Sequence, residues 1–143
     1  MAGVSRFEDL HAWKLAVDLR DEVLRLTETG LVLRDRDFRG QIRDSARSAP
    51  RNLSEGFDKF SPREFCRYAR IARGSIAETK NHVLDGLKQG YFTAPEADRM
   101  LSLSRCARAA TTGLMKYLHS CKGQAPTGWD RETQDDSAGS KDP

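Results

Sequence analysis

The sequence lacks any apolar run long enough to cross a membrane. It contains no stretch of about 18 uncharged apolar residues, which excludes a membrane-spanning helix of the usual length. Glu8, Asp9 and Lys14 interrupt the region where a secretory signal peptide would need an apolar segment. We therefore expect a cytoplasmic protein with no membrane partner.

Cysteine and histidine are also scarce. The chain has three of each, and no cysteine, aspartate or glutamate joins the histidines in a metal-ligand spacing. The histidines are His11, His82 and His119. The cysteines are Cys66, Cys106 and Cys121. Because their number is odd and their spacing irregular, we expect reduced thiols that pack in the core, and no metal site.

Sequence motifs typical of enzymes are missing as well. There is no phosphate-binding loop of the Walker type, no glycine-rich dinucleotide turn and no nucleophile elbow. The two Glu-x-x-His motifs that build di-iron sites in helical bundles are not both present, because Glu8 and His11 supply a single such spacing in the sequence. We therefore predict no catalytic residues, no metal ligands and no cofactor, and a protein that is not an enzyme.

What the chain has in abundance is charge, unevenly distributed. The whole sequence carries +3, but residues 123–143 carry −3 and residues 1–122 carry +6. Residues 123–143 are rich in Gly, Ser, Asp and Gln and hold too little apolar area to offset the entropy of ordering them. We predict one folded domain over residues 1–122 and a disordered acidic tail over residues 123–143. A basic body with an acidic tail is typical of a protein with a polyanionic partner.

Apolar residues recur with the helical period along almost all of residues 1–122. The pattern predicts four helices, over about residues 7–28, 37–57, 62–88 and 94–119. Ser61-Pro62 and Thr93-Ala94-Pro95 are start signals for the third and fourth helices. Long helices joined by short loops predict an all-α fold, an antiparallel up-down-up-down four-helix bundle.

Two of the predicted helices have unusual features. The first is apolar over about half its circumference, which predicts a core face and a second face at a subunit interface. Trp13, Val17 and Leu24 are our candidates for that interface. The second helix contains Pro50, where we expect a kink rather than an end, because the apolar face continues in phase beyond it. Asn52 lies beside the core and is expected to make a buried hydrogen bond.

Arginines form rows on the second and third helices, away from the apolar faces. Residues 34–73 carry eleven Arg and Lys residues against six Asp and Glu residues, a net charge of +5. Planar guanidinium groups on a rigid helix suit phosphate or carboxylate partners. The alternatives are an ordinary solvated surface, or an adaptor whose arginines contact acidic groups of a neighbouring protein. The candidate nucleic-acid-binding residues are Arg39, Arg43, Arg47 and Arg51, followed by Arg63, Arg67, Arg70 and Arg73.

Several segments resemble one known family. Gln41-Ile42-Arg43, Ser48-Ala49-Pro50 and Ser54-Glu55-Gly56, with Ala46 and Asn52 between them, resemble the signature of the four-helix-bundle proteins encoded in 23S rRNA intervening sequences. A second matching block consists of Phe65, Ile71-Ala72-Arg73-Gly74-Ser75 and Glu78. The start, Phe7-Glu8-Asp9-Leu10 with Trp13-Lys14, and the turn Gly90-Tyr91 are also similar. The resemblance covers residues 5–120.

The chain departs from the family pattern locally. Asp44 stands where a second arginine is usual, Ala49 where a branched aliphatic residue is usual, and the acidic tail is longer. Asp44 removes one cation from the second helix, which weakens the expectation that this position binds a polyanion.

The resemblance implies a left-handed bundle assembled as a ring, a homopentamer, without catalytic activity. The related accessory proteins of diversity-generating retroelements are similar pentamers that bind nucleic acid and a reverse transcriptase. We therefore expect an oligomer of this chain whose partners are RNA or DNA and, by the same resemblance, a reverse transcriptase. Phosphate contacts, rather than base contacts, are expected to supply most of the affinity.

Overall fold

The structure, a computed structural model, describes residues 4–121. Four long helices make up most of that range: α1 (His11–Leu26), α2 (Arg36–Phe57), α3 (Pro62–Gln89) and α4 (Ala94–Ser120). Short 3₁₀ turns at Phe7–Asp9 and Leu31–Arg34 precede α1 and α2, and residues 4–121 contain no strand. The all-helical prediction with four helices is confirmed. The predicted disordered tail over residues 123–143 lies outside the described residues.

Local sequence signals explain where the helices begin and end. Ser61 accepts a hydrogen bond from the Glu64 amide at 3.4 Å, and Thr93 forms a reciprocal capping box with Glu96. Gly90 ends α3 with a φ of 79°, a left-handed conformation that favours glycine. At the start of the chain, α1 begins at His11 rather than at Phe7, because Leu10 has an extended backbone.

Pro50 lies inside α2 and does not end it. The helix continues from Arg36 to Phe57, and the Pro50 side chain is buried. Apolar residues on both sides of the proline, including Ala46 and Leu53, are buried as well. The continuous apolar face predicted across Pro50 is therefore present, and the kink stays a prediction.

The core lies between the four helices. Each helix packs mainly against two others: α1 and α3 both contact α2 and α4. The helical period of the sequence also predicts Leu87 on the inward face of α3, but this prediction is wrong, because 37% of Leu87 is exposed. The largest fully buried side chains come from all four helices and the turn before α2: Leu19, Val23, Val32, Ile42, Leu53, Phe65, Ile76, Val83, Met100 and Leu118.

A polar seam runs between α2 and α3 inside the bundle. The Ser48 and Ser75 hydroxyl oxygens lie 2.7 Å apart, and the Thr79 hydroxyl donates to Ser45 at 2.9 Å. Asn52 donates to the Ser48 carbonyl oxygen at 2.8 Å, so the predicted buried hydrogen bond of Asn52 is confirmed. Because these hydroxyl and amide groups satisfy one another, the seam fixes the register of α2 against α3 without leaving buried polar groups unpaired.

Gly56 allows α2 and α3 to approach each other closely. A Cβ added at Gly56 would lie 2.7 Å from the Tyr68 Cβ and 2.9 Å from a ring carbon of Phe65. Because Gly74 is small, the sequence predicts that it also permits close helix approach, but no atom lies within 4 Å of a Cβ added there. The α2–α3 contact near the end of α2 therefore requires Gly56.

The turn before α2 is held by Asp35. Its carboxylate accepts from the Phe38 amide at 3.1 Å and from the Tyr91 hydroxyl at 2.7 Å. The Tyr91 hydrogen bond, followed by the Phe38 amide, lowers the pKa of Asp35, and the same bond raises the pKa of Tyr91. Asp35 thus caps α2 and links it to the loop between α3 and α4.

The three cysteines differ in burial. Cys66 is half-buried and packs against the core, Cys121 is half-buried and Cys106 is exposed, so the prediction that they pack in the core is wrong for Cys106. All three are free thiols, as expected.

None of the four helices, within residues 4–121, has the length and apolar content needed to cross a membrane.

Candidate nucleic-acid interface

Three arginines at the start of α3 line a groove against the end of α4. Arg63, Arg67 and Arg70 are spaced so that they share one face of the helix, and all three are exposed. The opposite face holds Phe65, which is fully buried. The groove has a volume of about 450 Å³, and we call it the basic groove. Its lining residues are Pro62, Arg63, Cys66, Arg67, Arg70, Leu118 and His119.

Among residues 4–121, those that line the basic groove include no acidic residue. Within residues 4–121, no carboxylate oxygen lies within 4.0 Å of the guanidinium groups of Arg63, Arg67 or Arg70. The guanidinium carbon of Arg67 lies 5.7 Å from the centre of the Tyr68 ring. These cations are therefore available to an external anion.

Arg39 and Arg43 have a different environment. The Arg39 side chain donates to the Thr27 carbonyl oxygen at 2.8 Å. Arg43 donates to the Thr27 hydroxyl at 2.8 Å and to the Leu24 carbonyl oxygen at 3.3 Å, and only 12% of its side chain is exposed. Carbonyl groups at a helix C-terminus lack partners within the helix and carry partial negative charge. The two arginines therefore cap the end of α1 and do not project freely into solvent.

Arg47 and Arg51 are exposed and line a second groove, between α1 and α2. This groove has a volume of about 400 Å³ and also contains Trp13 and Leu24, two of the residues predicted at a subunit interface. We call it the Trp13 groove. The structure thus brings together residues that the sequence assigned to two different roles. Its full lining is Phe7, Trp13, Arg20, Asp21, Leu24, Arg47, Pro50, Arg51 and Ser54.

The remaining predicted residues lie outside both grooves. Arg73 is half-buried on α3, and Val17 is half-buried on α1. Trp13 is also half-buried, and its ring packs edge-on against Phe7 with 5.4 Å between ring centres. The Trp13 side chain therefore already has an intramolecular partner, and part of its surface stays open.

Comparison with known protein families places this chain in one of them. A family model described as 23S rRNA-intervening sequence protein matches residues 8–112, which include α1, α2, α3 and most of α4. The chain belongs to this family. No curated protein matches the sequence. The family match covers the α3 side of the basic groove and all of the Trp13 groove except Phe7, whereas Leu118 and His119 lie beyond it.

Sequence reasoning missed three features of the family member's surface. His119 and Cys66 complete the basic groove, but no local signal shows that the end of α4 lies beside the start of α3. A third group of cations, Lys80, Arg105 and Arg108, lines a groove of about 310 Å³ between α3 and α4. The spacing of Arg105 and Arg108 on one face of α4 could have indicated it.

Metal binding has no support in the described part of the chain. Within residues 4–121, no group of three or more His, Cys, Asp and Glu residues could hold a metal ion. The chemistry that the grooves offer is therefore that of cationic hydrogen-bond donors, directed at phosphate or carboxylate oxygens.

Proposed function

We propose that this chain binds nucleic acid, primarily RNA, through exposed arginines. In this proposal it is a cytoplasmic, oligomeric helical-bundle protein without enzymatic activity. The observation that carries the proposal is the basic groove, in which Arg63, Arg67 and Arg70 meet no carboxylate among residues 4–121. Membership of the 23S rRNA-intervening sequence protein family supports it.

The exposed arginines do not contribute equally to this proposal. Arg63, Arg67 and Arg70 are its main binding residues, and Arg47 and Arg51 extend the basic surface onto α2. Arg39 and Arg43 mainly stabilise the C-terminal end of α1, because both side chains donate hydrogen bonds to Thr27. Arg73, which is half-buried, contributes mainly long-range charge. Such a surface neutralises phosphates and releases counterions, and it gives little discrimination between bases.

An up-down-up-down bundle in a ring is the assembly we propose for this function. Ser45 pairs with Thr79 and Ser48 with Ser75, so residue numbers rise along α2 as they fall along α3, which supports antiparallel packing. Partly open apolar side chains on α1, at Trp13, Val17 and Leu24, support a subunit interface there. A homopentamer, and a retroelement reverse transcriptase as a partner, remain the proposals that follow from the resemblance.

A second candidate function is a structural adaptor whose arginines contact another protein. The Trp13 groove favours it, because Arg47 and Arg51 lie beside Trp13 and Leu24. Arginine and tryptophan are the residues most enriched at the centres of protein interfaces. In this alternative, Arg47 and Arg51 would be covered by a neighbouring subunit and would not reach RNA.

The deciding experiment measures the salt dependence of binding to a structured RNA. A variant with Arg63, Arg67 and Arg70 all changed to Gln should bind more weakly, and the slope of log K against log salt should flatten by about 0.7–0.9 for each phosphate that is no longer neutralised. The matched control changes Lys14, Lys88 and Lys116 to Gln. These three side chains are exposed and lie outside the two grooves. Their replacement by Gln removes the same number of positive charges as the arginine variant.

The two variants separate a specific surface from general attraction. If the lysine control weakens binding as much as the arginine variant, the basic groove is not the binding site. If the wild type shows no salt-sensitive binding to RNA or DNA, the proposal fails and the adaptor function replaces it.

A further inference from the structure

The basic groove has a concave shape at one end of the bundle. It lies where α3 begins and α4 ends, and it combines three arginines from one helix with His119 from the other. We propose that this groove binds the terminal phosphate monoester of an RNA strand. The inference rests on the proposed function, since it assumes that the chain binds nucleic acid. It adds that the terminal phosphate of the strand binds in the basic groove.

Charge favours a terminal phosphate over an internal one. A phosphate monoester carries about −1.5 to −2 at neutral pH, whereas each internal diester carries a single negative charge. Arg63, Arg67 and Arg70 supply three full positive charges to one groove, whose lining within the described range 4–121 includes no acid. Because Coulomb attraction grows with the charge of the ligand, the site should prefer the monoester.

The donors come from side chains rather than from the helix end. At the start of α3, Ser61 already accepts from the Glu64 amide at 3.4 Å and from the Phe65 amide at 2.8 Å. The end of α4 presents partial negative charge from its last carbonyl groups, which opposes an anion. Three guanidinium groups outweigh that half charge, and each offers a fork of N–H donors that fits two phosphate oxygens.

The floor of the groove strengthens these interactions. Pro62 and Leu118, which are buried and apolar, line the groove beside the arginines. Charge–charge attraction is stronger beside such a surface than in bulk water. A strand end can place its phosphate in the concave groove with the sugar outside, whereas an internal phosphate has the chain on both sides.

The test compares one short single-stranded RNA in three forms: with a 5′-phosphate, with a 3′-phosphate, and with hydroxyl groups at both ends. The wild type should bind at least one phosphorylated form several-fold more tightly than the hydroxyl form. Arg67→Gln should reduce that preference, and changing Arg63, Arg67 and Arg70 together should abolish it. Arg47→Gln with Arg51→Gln, outside the basic groove, should keep the preference even where overall affinity falls.

The outcomes separate this inference from the proposed function. Equal binding of all three RNA forms by the wild type overturns the terminal-phosphate site and leaves general RNA binding intact. Binding of a phosphorylated form alone supports the site while contradicting binding along the strand. No binding of any form overturns both, and a preference that survives the triple change, with circular dichroism unchanged, places the terminal phosphate elsewhere.

Discussion

Arg43 of α2 donates a hydrogen bond to the Thr27 hydroxyl at 2.8 Å, immediately after the last turn of α1. The same guanidinium reaches the Leu24 carbonyl oxygen at 3.3 Å, and Thr27 itself is fully buried. The contact joins two helices through a charged group at a helix C-terminus, where positive charge is favourable. Arg43, like Arg39, is thus a structural residue, whereas Arg47 and Arg51 of the same row face solvent.

Replacing Arg43 by Gln should therefore destabilise the protein. The loss of hydrogen bonds from a charged donor should cost about 1–3 kcal/mol of unfolding free energy. Arg47→Gln, one turn further along α2, is the matched control and should change stability by less than about 0.5 kcal/mol. Urea denaturation followed by circular dichroism measures both. Equal stability of the two variants would contradict the capping role of Arg43.

Gly56 and Gly74 offer a second pair of opposite expectations. Ala is a better helix former than Gly by about 1 kcal/mol, so a gain is expected wherever the added Cβ has space. Gly74→Ala should stabilise the protein, because no atom lies within 4 Å of the new Cβ. Gly56→Ala should destabilise it, because the new Cβ would lie 2.7 Å from the Tyr68 Cβ. Thermal unfolding measures the two shifts, and a higher melting temperature for Gly56→Ala would show that α2 and α3 separate easily.

The features that the sequence could predict are those set by residues close together in the chain. The helix starts at Ser61 and Thr93 follow from residues within one turn, and the sequence alone located both. The roles of Arg43 and Gly56 depend on which helix lies opposite, and nothing within one helix encodes that. The same limit applies to the basic groove, since His119 is distant in sequence from Arg63. Periodicity separates the buried face of a helix from the rest, but it does not separate solvent-facing arginines from arginines that reach a neighbouring helix.

The bond between Tyr91 and Asp35 makes a prediction about acid stability. The pKa of Asp35 is lowered in the folded state. The ionised Asp35 therefore stabilises the fold at pH values above the ordinary carboxyl pKa, and this stabilisation is lost as the pH falls through the folded-state pKa. Tyr91→Phe removes the larger cause of the shift. The variant should therefore lose less stability than the wild type between about pH 7 and about pH 3.

Denaturation at the two pH values measures this difference. In an Asp35→Asn background, Tyr91→Phe should have the same effect at both pH values, because no carboxyl group titrates at position 35. A cost of Tyr91→Phe that is independent of pH in the wild-type background would show that the hydroxyl contributes to packing and not through the charge of Asp35.

Trp13 tests the proposed oligomer. The ring is half-buried within one chain and packs against Phe7, which leaves part of its surface for a neighbouring subunit. Trp13→Glu should give monomers or insoluble protein, because an interface would then bury a charge without a partner. Lys14→Glu, at the exposed adjacent position, should keep the wild-type oligomer. Sedimentation velocity distinguishes these results, and a stable wild-type monomer at micromolar concentration would contradict the interface.

Arg47 and Arg51 decide between the two candidate functions, because they lie in the Trp13 groove and not in the basic groove. Changing both to Gln removes two exposed charges and no intramolecular ion pair formed within residues 4–121. For a nucleic-acid-binding protein, we expect unchanged oligomer size, weaker RNA binding and a salt slope flatter by about 0.7–0.9 for each phosphate that the variant leaves unneutralised.

For an adaptor, the same variant should dissociate or lose its protein partner, while the effect on RNA is absent. Sedimentation and RNA titration on one preparation measure both properties. A variant that dissociates and also binds RNA less would place the RNA across the subunit boundary, where Arg47 and Arg51 would contact the neighbouring chain and the strand together. In that case, Arg67→Gln should weaken RNA binding without dissociating the oligomer, because Arg67 lies in the basic groove on α3, outside the α1–α2 face.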